Sequence, residues 1–195
     1  MTALAPDALA GLDVGYAGTT MRPLAGGLAE LGSRIVAADA PVDLLLVPAH
    51  GEPASTGHGA TSLDGGPTPD GSGLPPTDSS ALQADSGNAL LDTAADGALA
   101  IALTTAFAAA RDGASHVRPG GCLLFVLSPA DDPARAAVAS LTRTLALEWA
   151  PDLRVNALTC ADPAEVVDLA ALVAWPASRT LTGAVFDAAP TGWGQ

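Results

Sequence analysis

The sequence contains no lysine and only one tyrosine, Tyr16. An enzyme that uses a tyrosine–lysine pair for proton transfer could therefore draw on Tyr16 for the first role and on no residue for the second. Aromatic residues make up 4% of the chain, so its apolar 49% consists mainly of Ala, Leu and Val. Small aliphatic side chains of this kind predict Ala-rich helices packed closely on a sheet.

Basic residues are scarce, with 8 arginines against 21 acidic residues and a formal net charge of −13. A negative surface repels the phosphate backbone of nucleic acids and anionic membrane surfaces. No apolar run approaches the ~20 residues that span a bilayer, and the first residues lack the basic and apolar regions of a signal peptide. We therefore expect a cytoplasmic protein that binds neither nucleic acid nor membrane.

Histidine and cysteine, the commonest ligands of transition metals, are also few. The histidines His50, His58 and His116 lack the spacing of a metal site. Cys122 is expected to begin one strand and Cys160 to end its neighbour, too far apart for a disulfide. The sequence therefore predicts reduced thiols and no metal centre.

Strands and helices alternate along most of the chain. Strands are predicted at 11–15, 33–40, 41–49, 120–127, 153–160 and 181–189, and helices at 19–32, 92–111, 133–150 and 163–177. The strands are continuous apolar runs, which is typical of a sheet covered on both faces. This order predicts an α/β fold with a doubly wound parallel sheet in three α/β/α layers.

Residues 50–90 interrupt this pattern with Gly, Pro, Ser, Thr and Asp. A segment without periodic apolar residues buries too little surface to offset its ordering entropy. We expect one domain over 1–195 in which 50–90 is a loop insertion, and a lid or docking role for this loop stays open.

Three segments resemble the short-chain dehydrogenase/reductase family of Rossmann-fold enzymes that use NAD or NADP. "ARAAVASLTRTLALEWAPDLRVNAL" (134–158) is similar to the family's central helix and the strand after it, and "AALVAWPASRTLTGAVFDAA" (170–189) to its C-terminal helix and last strand. "VDLLLVPAH" (42–50) lies where the family has a strand that runs into an Asn-Asn-Ala-Gly turn. The resemblance implies a reduced Rossmann-like fold.

The family's catalytic residues have no chemical equivalents at the matching positions. The tyrosine position falls on Asp131, the lysine position on Arg135, the asparagine position on Asp96 and the serine position on Ser128. A carboxyl has a lower pKa and a shorter reach than a tyrosine. We interpret the acid before Pro133 as a helix cap, so these four positions are degenerate and none is expected to be catalytic.

The family's dinucleotide site is degraded in the same way. Its phosphate loop needs three glycines, of which Gly15 and Gly18 are present, while Met21 lies near a later glycine position and is expected to obstruct the pyrophosphate. Asp39 lies ~20 residues further on, where an acid can bind the ribose. The Pro-Gly turn that shapes the nicotinamide pocket has become Cys160-Ala161. We expect no cofactor in this chain.

Two of the family's structural units are also missing. The strand predicted at 33–40 runs directly into the one at 41–49, which leaves no room for a helix–strand–helix unit. The substrate-binding loop after 153–160 is absent as well, so the lid that this loop would form over a reaction site is missing.

The helices at 92–111 and 133–150 carry apolar residues on nearly every face, which is typical of helices covered by a partner. In the resembled family these helices and the C-terminal strand form subunit interfaces. The leading hypothesis is a non-catalytic subunit that joins an active homologue holding NAD(P), the complex oxidising a secondary alcohol or reducing a ketone, with an acyl thioester among the candidate substrates. Two alternatives stay open: an enzyme with other chemistry around Ser128, Asp131 and Arg135, and a homo-oligomeric scaffold.

Overall fold

The computed structural model describes residues 4–37, 39–49, 89–128 and 132–188. Within these residues six strands form one parallel sheet in the order β2-β1-β3-β4-β5-β6. The strands are β1 (Asp13–Tyr16), β2 (Arg34–Ile35), β3 (Val42–Pro48), β4 (Val117–Leu127), β5 (Arg154–Cys160) and β6 (Val185–Ala188). The helices are α1 (Arg22–Glu30), α2 (Ala89–Ala114), α3 (Asp132–Glu148) and α4 (Val167–Ala174), and 3₁₀ turns cover Thr19–Met21, Pro163–Val166 and Pro176–Ser178. The predicted α/β fold is confirmed.

The sheet separates two apolar cores, and β3 shows why its sequence is a continuous apolar run. Leu44 and Leu46 face the core that α1 and α4 cover, whereas Leu45 and Val47 face the core beneath α2 and α3. Side chains alternate between the two faces of a strand, so a strand that is covered on both sides needs an apolar residue at every position. The sheet therefore lies between two helical layers, as predicted.

Element boundaries differ from the sequence prediction mainly where proline or a turn intervenes. The helix expected at 163–177 is a 3₁₀ turn followed by α4, which ends before Pro176 because the ring of a proline excludes helical geometry in the preceding residue. The predicted helices 92–111 and 133–150 are observed at 89–114 and 132–148. The predicted loop 50–90 lies outside the described residues except at its last two positions, which belong to α2.

A direct link joins β2 to β3 across one face of β1. Val14 pairs with Ile35 on one side and with Leu44 on the other, so the chain between these strands must pass over β1 within a few residues. A Cβ atom on Gly15 would lie 2.9 Å from Cγ1 of Val42, and glycine is therefore required for this packing. The link confirms that no helix–strand–helix unit separates these two strands.

An ion-pair network ties the amino ends of four strands together. The guanidinium of Arg34 donates two hydrogen bonds to the carboxylate of Asp13, at 2.6 and 2.8 Å. Arg118 donates to Asp13 at 2.7 Å and to Asp43 at 2.7 Å, and so reaches from β4 across β3 to β1. These hydrogen bonds from Arg34 and Arg118 lower the pKa of Asp13 to about 2.

Candidate functional site at the carboxyl edge of the sheet

A cavity of about 350 Å³ opens at the carboxyl ends of the strands. In open α/β sheets this edge binds ligands at the point where the strand order reverses, which here lies between β1 and β3. The wall combines residues from β4, β5 and the two 3₁₀ turns that follow β1 and β5: Thr20, Val126, Leu127, Ser128, Cys160, Ala161 and Pro163.

Local sequence explains how the wall is built. Gly18 adopts a φ of +72°, which lets the chain leave β1 and enter the 3₁₀ turn that carries Thr20. Beyond β5, the carboxylate of Asp162 accepts a hydrogen bond from the amide of Ala164 at 2.8 Å and caps the turn that begins with Pro163. This turn leads directly into α4, so the expected absence of a long substrate loop is confirmed.

The lining is mostly apolar, and its polar groups are two hydroxyls and a thiol. Ser128 lies on the wall directly after β4, and Thr20 reaches the same cavity from the turn after β1. Burial, followed by the nearby charges of Asp162 and Glu165, raises the pKa of Cys160 to about 11. The thiol is therefore protonated near neutral pH and is a poor nucleophile.

The position that resembles the family's lysine takes part in an ion pair. Nη1 of Arg135 on α3 lies 3.4 Å from Oδ2 of Asp187 on β6, and the two side chains are 37% and 58% exposed. An exposed pair of this length contributes little to stability. Asp131 lies outside the described residues, and for Asp96 the structure gives only its place in α2. A pocket formed by Ser128, Asp131 and Arg135 therefore stays a prediction.

The residues proposed for the dinucleotide site take different positions. Gly15 packs against Val42, and Gly18 makes the turn beside Pro48. Asp39 is exposed in the link between β2 and β3. Met21 is fully buried in the core between the sheet and the helices α1 and α4, so the expectation that its side chain obstructs a pyrophosphate was wrong.

Sequence reasoning missed Thr20 and Pro163 as parts of the wall. Thr20 immediately precedes Met21, but Thr20 lies on the cavity wall whereas the side chain of Met21 lies in the core.

Among the described residues, no three His, Cys, Asp or Glu side chains come close enough to hold a metal ion. No helix in the described ranges is both long and apolar enough to cross a bilayer.

Solved structures of similar fold come from several bacteria. The chain superimposes on a short-chain type dehydrogenase/reductase from Mycobacterium marinum with a TM-score of 0.59 and 14% identity, covering 94% of this chain and 96% of that one. A short-chain dehydrogenase/reductase from Serratia marcescens gives 0.58 and 15% (94% and 97% covered), and one from Brucella melitensis, titled a glucose/ribitol dehydrogenase, gives 0.55 and 14% (92% and 95%). At these identities the likeness shows the fold alone.

A family model gives the more specific result. The model described as "SDR-like: Short chain dehydrogenase-like protein" matches residues 88–188, which is just over half of the chain. No curated protein sequence matches the chain. The matched region runs from α2 to the end of β6 and includes six of the seven residues on the cavity wall, all except Thr20. The chain therefore belongs to the short-chain dehydrogenase-like family.

Proposed function

We propose that this protein is a non-catalytic subunit that assembles with an active, NAD(P)-dependent short-chain dehydrogenase. The complex would oxidise a secondary alcohol or reduce a ketone, with an acyl thioester among the candidate substrates. The observation that carries the proposal is the lining of the carboxyl-edge cavity, whose described residues include no group that titrates near neutral pH. The chain also has no lysine at all.

Reduction of a ketone by a hydride needs a proton donor at the carbonyl oxygen and a positive charge that stabilises the developing alkoxide. The thiol of Cys160 lies near two acidic residues, and its raised pKa is the opposite of an activated group. The positive charge of Arg135 is engaged by Asp187. The described wall thus offers hydroxyl groups that can bind a ligand but no acid–base pair.

None of the described residues on the wall carries a positive charge, so the wall offers a pyrophosphate no charged side chain. The side chain of Thr20 stands on the wall close to where the family's loop uses glycine for close backbone approach. Under this proposal, NAD(P) binds only to the active partner subunit, and this chain contributes surface and structure. Hydride transfer then takes place entirely on the partner.

The exposed side of α2 and α3 is the proposed contact surface. These helices pack against each other, and their outer faces expose Ile101 (63%), Phe107 (40%) and Leu147 (82%). Isolated exposed apolar residues are common, but the family resemblance assigns these two helices and the C-terminal strand to subunit interfaces. We therefore assign the same surface to the active homologue.

The substitution Leu147→Glu tests this surface. Full burial of a leucine contributes about 1.5–3 kcal/mol, and a buried unpaired carboxylate costs a few kcal/mol more. We expect a loss of about 4 kcal/mol, or roughly a thousandfold weaker association. Native mass spectrometry of the tagged protein purified from its own host identifies the partner, and the same purification is repeated with Leu147→Glu.

Ile35→Glu provides a matched control, since Ile35 is 37% exposed on β2 at the far edge of the sheet. Wild type and Ile35→Glu should retain a longer dehydrogenase subunit, whereas Leu147→Glu should lose it while keeping its own circular dichroism spectrum. Retention of the partner by Leu147→Glu would contradict the assignment of the surface. A homo-oligomer without any dehydrogenase subunit would refute the proposed assembly.

Cofactor titration tests whether NAD(P) binds only to the active partner subunit. We expect no change in NADH or NADPH fluorescence with the isolated chain, and binding with the purified complex. Micromolar binding of either nucleotide to the isolated chain, together with turnover of an alcohol or ketone, would overturn the non-catalytic assignment.

A further inference from the structure

A second cavity, of about 430 Å³, lies at the opposite, amino edge of the sheet. This volume is within the range of about 300–1,000 Å³ that is typical of small-molecule sites. Its lining includes residues from the segment before β1, from β3, β4 and β5, and from the segment after α4: Gly11, Asp43, Gly120, Arg154, Pro176 and Arg179. Neither the proposed assembly nor the carboxyl-edge cavity uses this site.

Arg154 places a buried positive charge on the wall of this cavity. Arg154 is only 5% exposed. Every group that accepts a hydrogen bond from its guanidinium is a backbone carbonyl. Nε donates to Gly120 at 3.3 Å, Nη1 donates to Val173 at 2.8 Å and to Ser178 at 3.1 Å, and Nη2 donates to Ala174 at 3.4 Å. No carboxylate among the described residues pairs with it.

The hydrogen-bond capacity of Arg154 is not exhausted by these contacts. A guanidinium has five N–H groups, and the carbonyls accept four of them, so one N–H on Nη2 has no acceptor in the described part of the chain. The carbonyls of Val173 and Ala174 end α4, whose dipole supplies about half a negative charge. The helix end therefore offsets only part of the positive charge of Arg154.

Arg179 adds a second positive charge at the same cavity. It is exposed and follows Ser178, whose carbonyl contacts the Arg154 guanidinium, so its backbone lies beside that group. Within the described residues Arg179 makes no ion pair. The one acidic residue named on the wall, Asp43, is already engaged by Arg118 at 2.7 Å and by the amide of Asp13 at 2.8 Å.

We propose that the amino-edge cavity binds a phosphate group, presented either by inorganic phosphate or by a phosphomonoester, between the guanidinium groups of Arg154 and Arg179. The planar guanidinium matches the geometry of phosphate oxygens and is weakly hydrated, which suits a partly buried anion site. A phosphate dianion balances the two positive charges. The remaining cavity volume accommodates the organic part of a phosphomonoester.

Calorimetric titration with inorganic phosphate and with glycerol phosphate, at constant ionic strength in chloride, tests the site. Arg179→Gln should weaken phosphate binding by about tenfold or more, since a charge-assisted hydrogen bond is lost. Arg22→Gln is the matched control, because Arg22 is an exposed arginine at the start of α1, at the opposite edge of the sheet. A variant that removes the charge of the buried Arg154 risks loss of folding. The second variant is therefore Arg154→Lys, which keeps the charge.

The two ligands distinguish the sources of the phosphate group. Tighter binding of glycerol phosphate than of phosphate would indicate an organic ligand, and the reverse order would indicate the free ion; both outcomes support the site if Arg179→Gln weakens them and Arg22→Gln does not. The proposal is overturned if wild type binds neither ligand, if Arg22→Gln weakens binding equally, or if acetate competes as well as phosphate.

Discussion

Two consecutive glycines at the centre of α1, Gly26 and Gly27, have opposite surroundings. A Cβ atom on Gly26 would meet nothing within 4 Å, whereas one on Gly27 would lie 2.3 Å from Cγ2 of Val167. Val167 begins α4, directly after the turn that carries Pro163. At Gly27, α1 therefore packs tightly against the start of α4, and alanine substitutions at the two glycines should have opposite effects on stability.

The expected magnitudes follow from these contacts. Replacing a glycine by alanine in an exposed helix interior stabilises a protein by about 0.5–1 kcal/mol, which we expect for Gly26→Ala. Gly27→Ala has the same helical gain but overpacks against Val167, whose Cγ1 and Cβ also lie only 3.2 and 3.3 Å away. A β-branched side chain has few alternative rotamers, so overpacking costs about 1–3 kcal/mol, and Gly27→Ala should destabilise by about 1 kcal/mol.

Urea and thermal unfolding of the two variants measure the difference. The two alanine variants should differ by about 1–3 kcal/mol in unfolding free energy, or roughly 2–10 °C in Tm. In the double variant Gly27→Ala/Val167→Ala, the shorter side chain at position 167 should restore part of the unfolding free energy that Gly27→Ala loses. The effects of the two substitutions should therefore not be additive. Equal stability of Gly26→Ala and Gly27→Ala would refute the reasoning, because the helical gain is common to both.

Two further predictions concern ionisable groups. Because Arg34 and Arg118 lower the pKa of Asp13 from 3.8 to about 2, the stabilisation that this carboxylate provides is present above pH 4 and is lost as the pH falls through 2. Asp13→Asn should therefore flatten the decline of Tm between pH 4 and 2, and an unchanged slope would contradict the network. The pKa of Cys160 is about 11, against 9.0 for a free thiol. At pH 8, iodoacetamide should therefore alkylate this thiol about a hundredfold more slowly in the native chain than in the unfolded chain, as followed by mass spectrometry. Rapid labelling of the native chain would show that the thiol is not buried.

Much of the fold could be predicted because it depends on local patterns. The apolar run at 41–49 specifies a strand covered on both faces, and the long helices follow from their composition and length. The split of the helix expected at 163–177 could have been anticipated from Pro163 and Pro176. Such features need only the sequence of the element itself.

The parts that sequence reasoning missed depend on residues distant in the chain. The carbonyls that accept hydrogen bonds from Arg154 come from segments up to 34 residues away, and Arg118 contacts Asp13 across 105 residues. The burial of the Met21 side chain was missed because it depends on core residues from α1, α4 and the sheet. The family motif located Ser128 near the site, but it gave no information on Thr20, which reaches the wall through the 3₁₀ turn after β1.

The two edge strands of the sheet differ in length and in how firmly their charged residues are held. An open sheet exposes unpaired backbone groups at both edges, where another chain can add a strand, and natural proteins limit this with short strands and charged side chains. Here β2 has only two residues and carries Arg34, which donates two hydrogen bonds to Asp13. In contrast, β6 has four residues and carries Asp187, whose ion pair with Arg135 is long and exposed. Within the described part of the chain, β2 therefore offers an added strand little backbone and a firmly held charge, and β6 offers the longer edge. The proposed assembly uses this same edge.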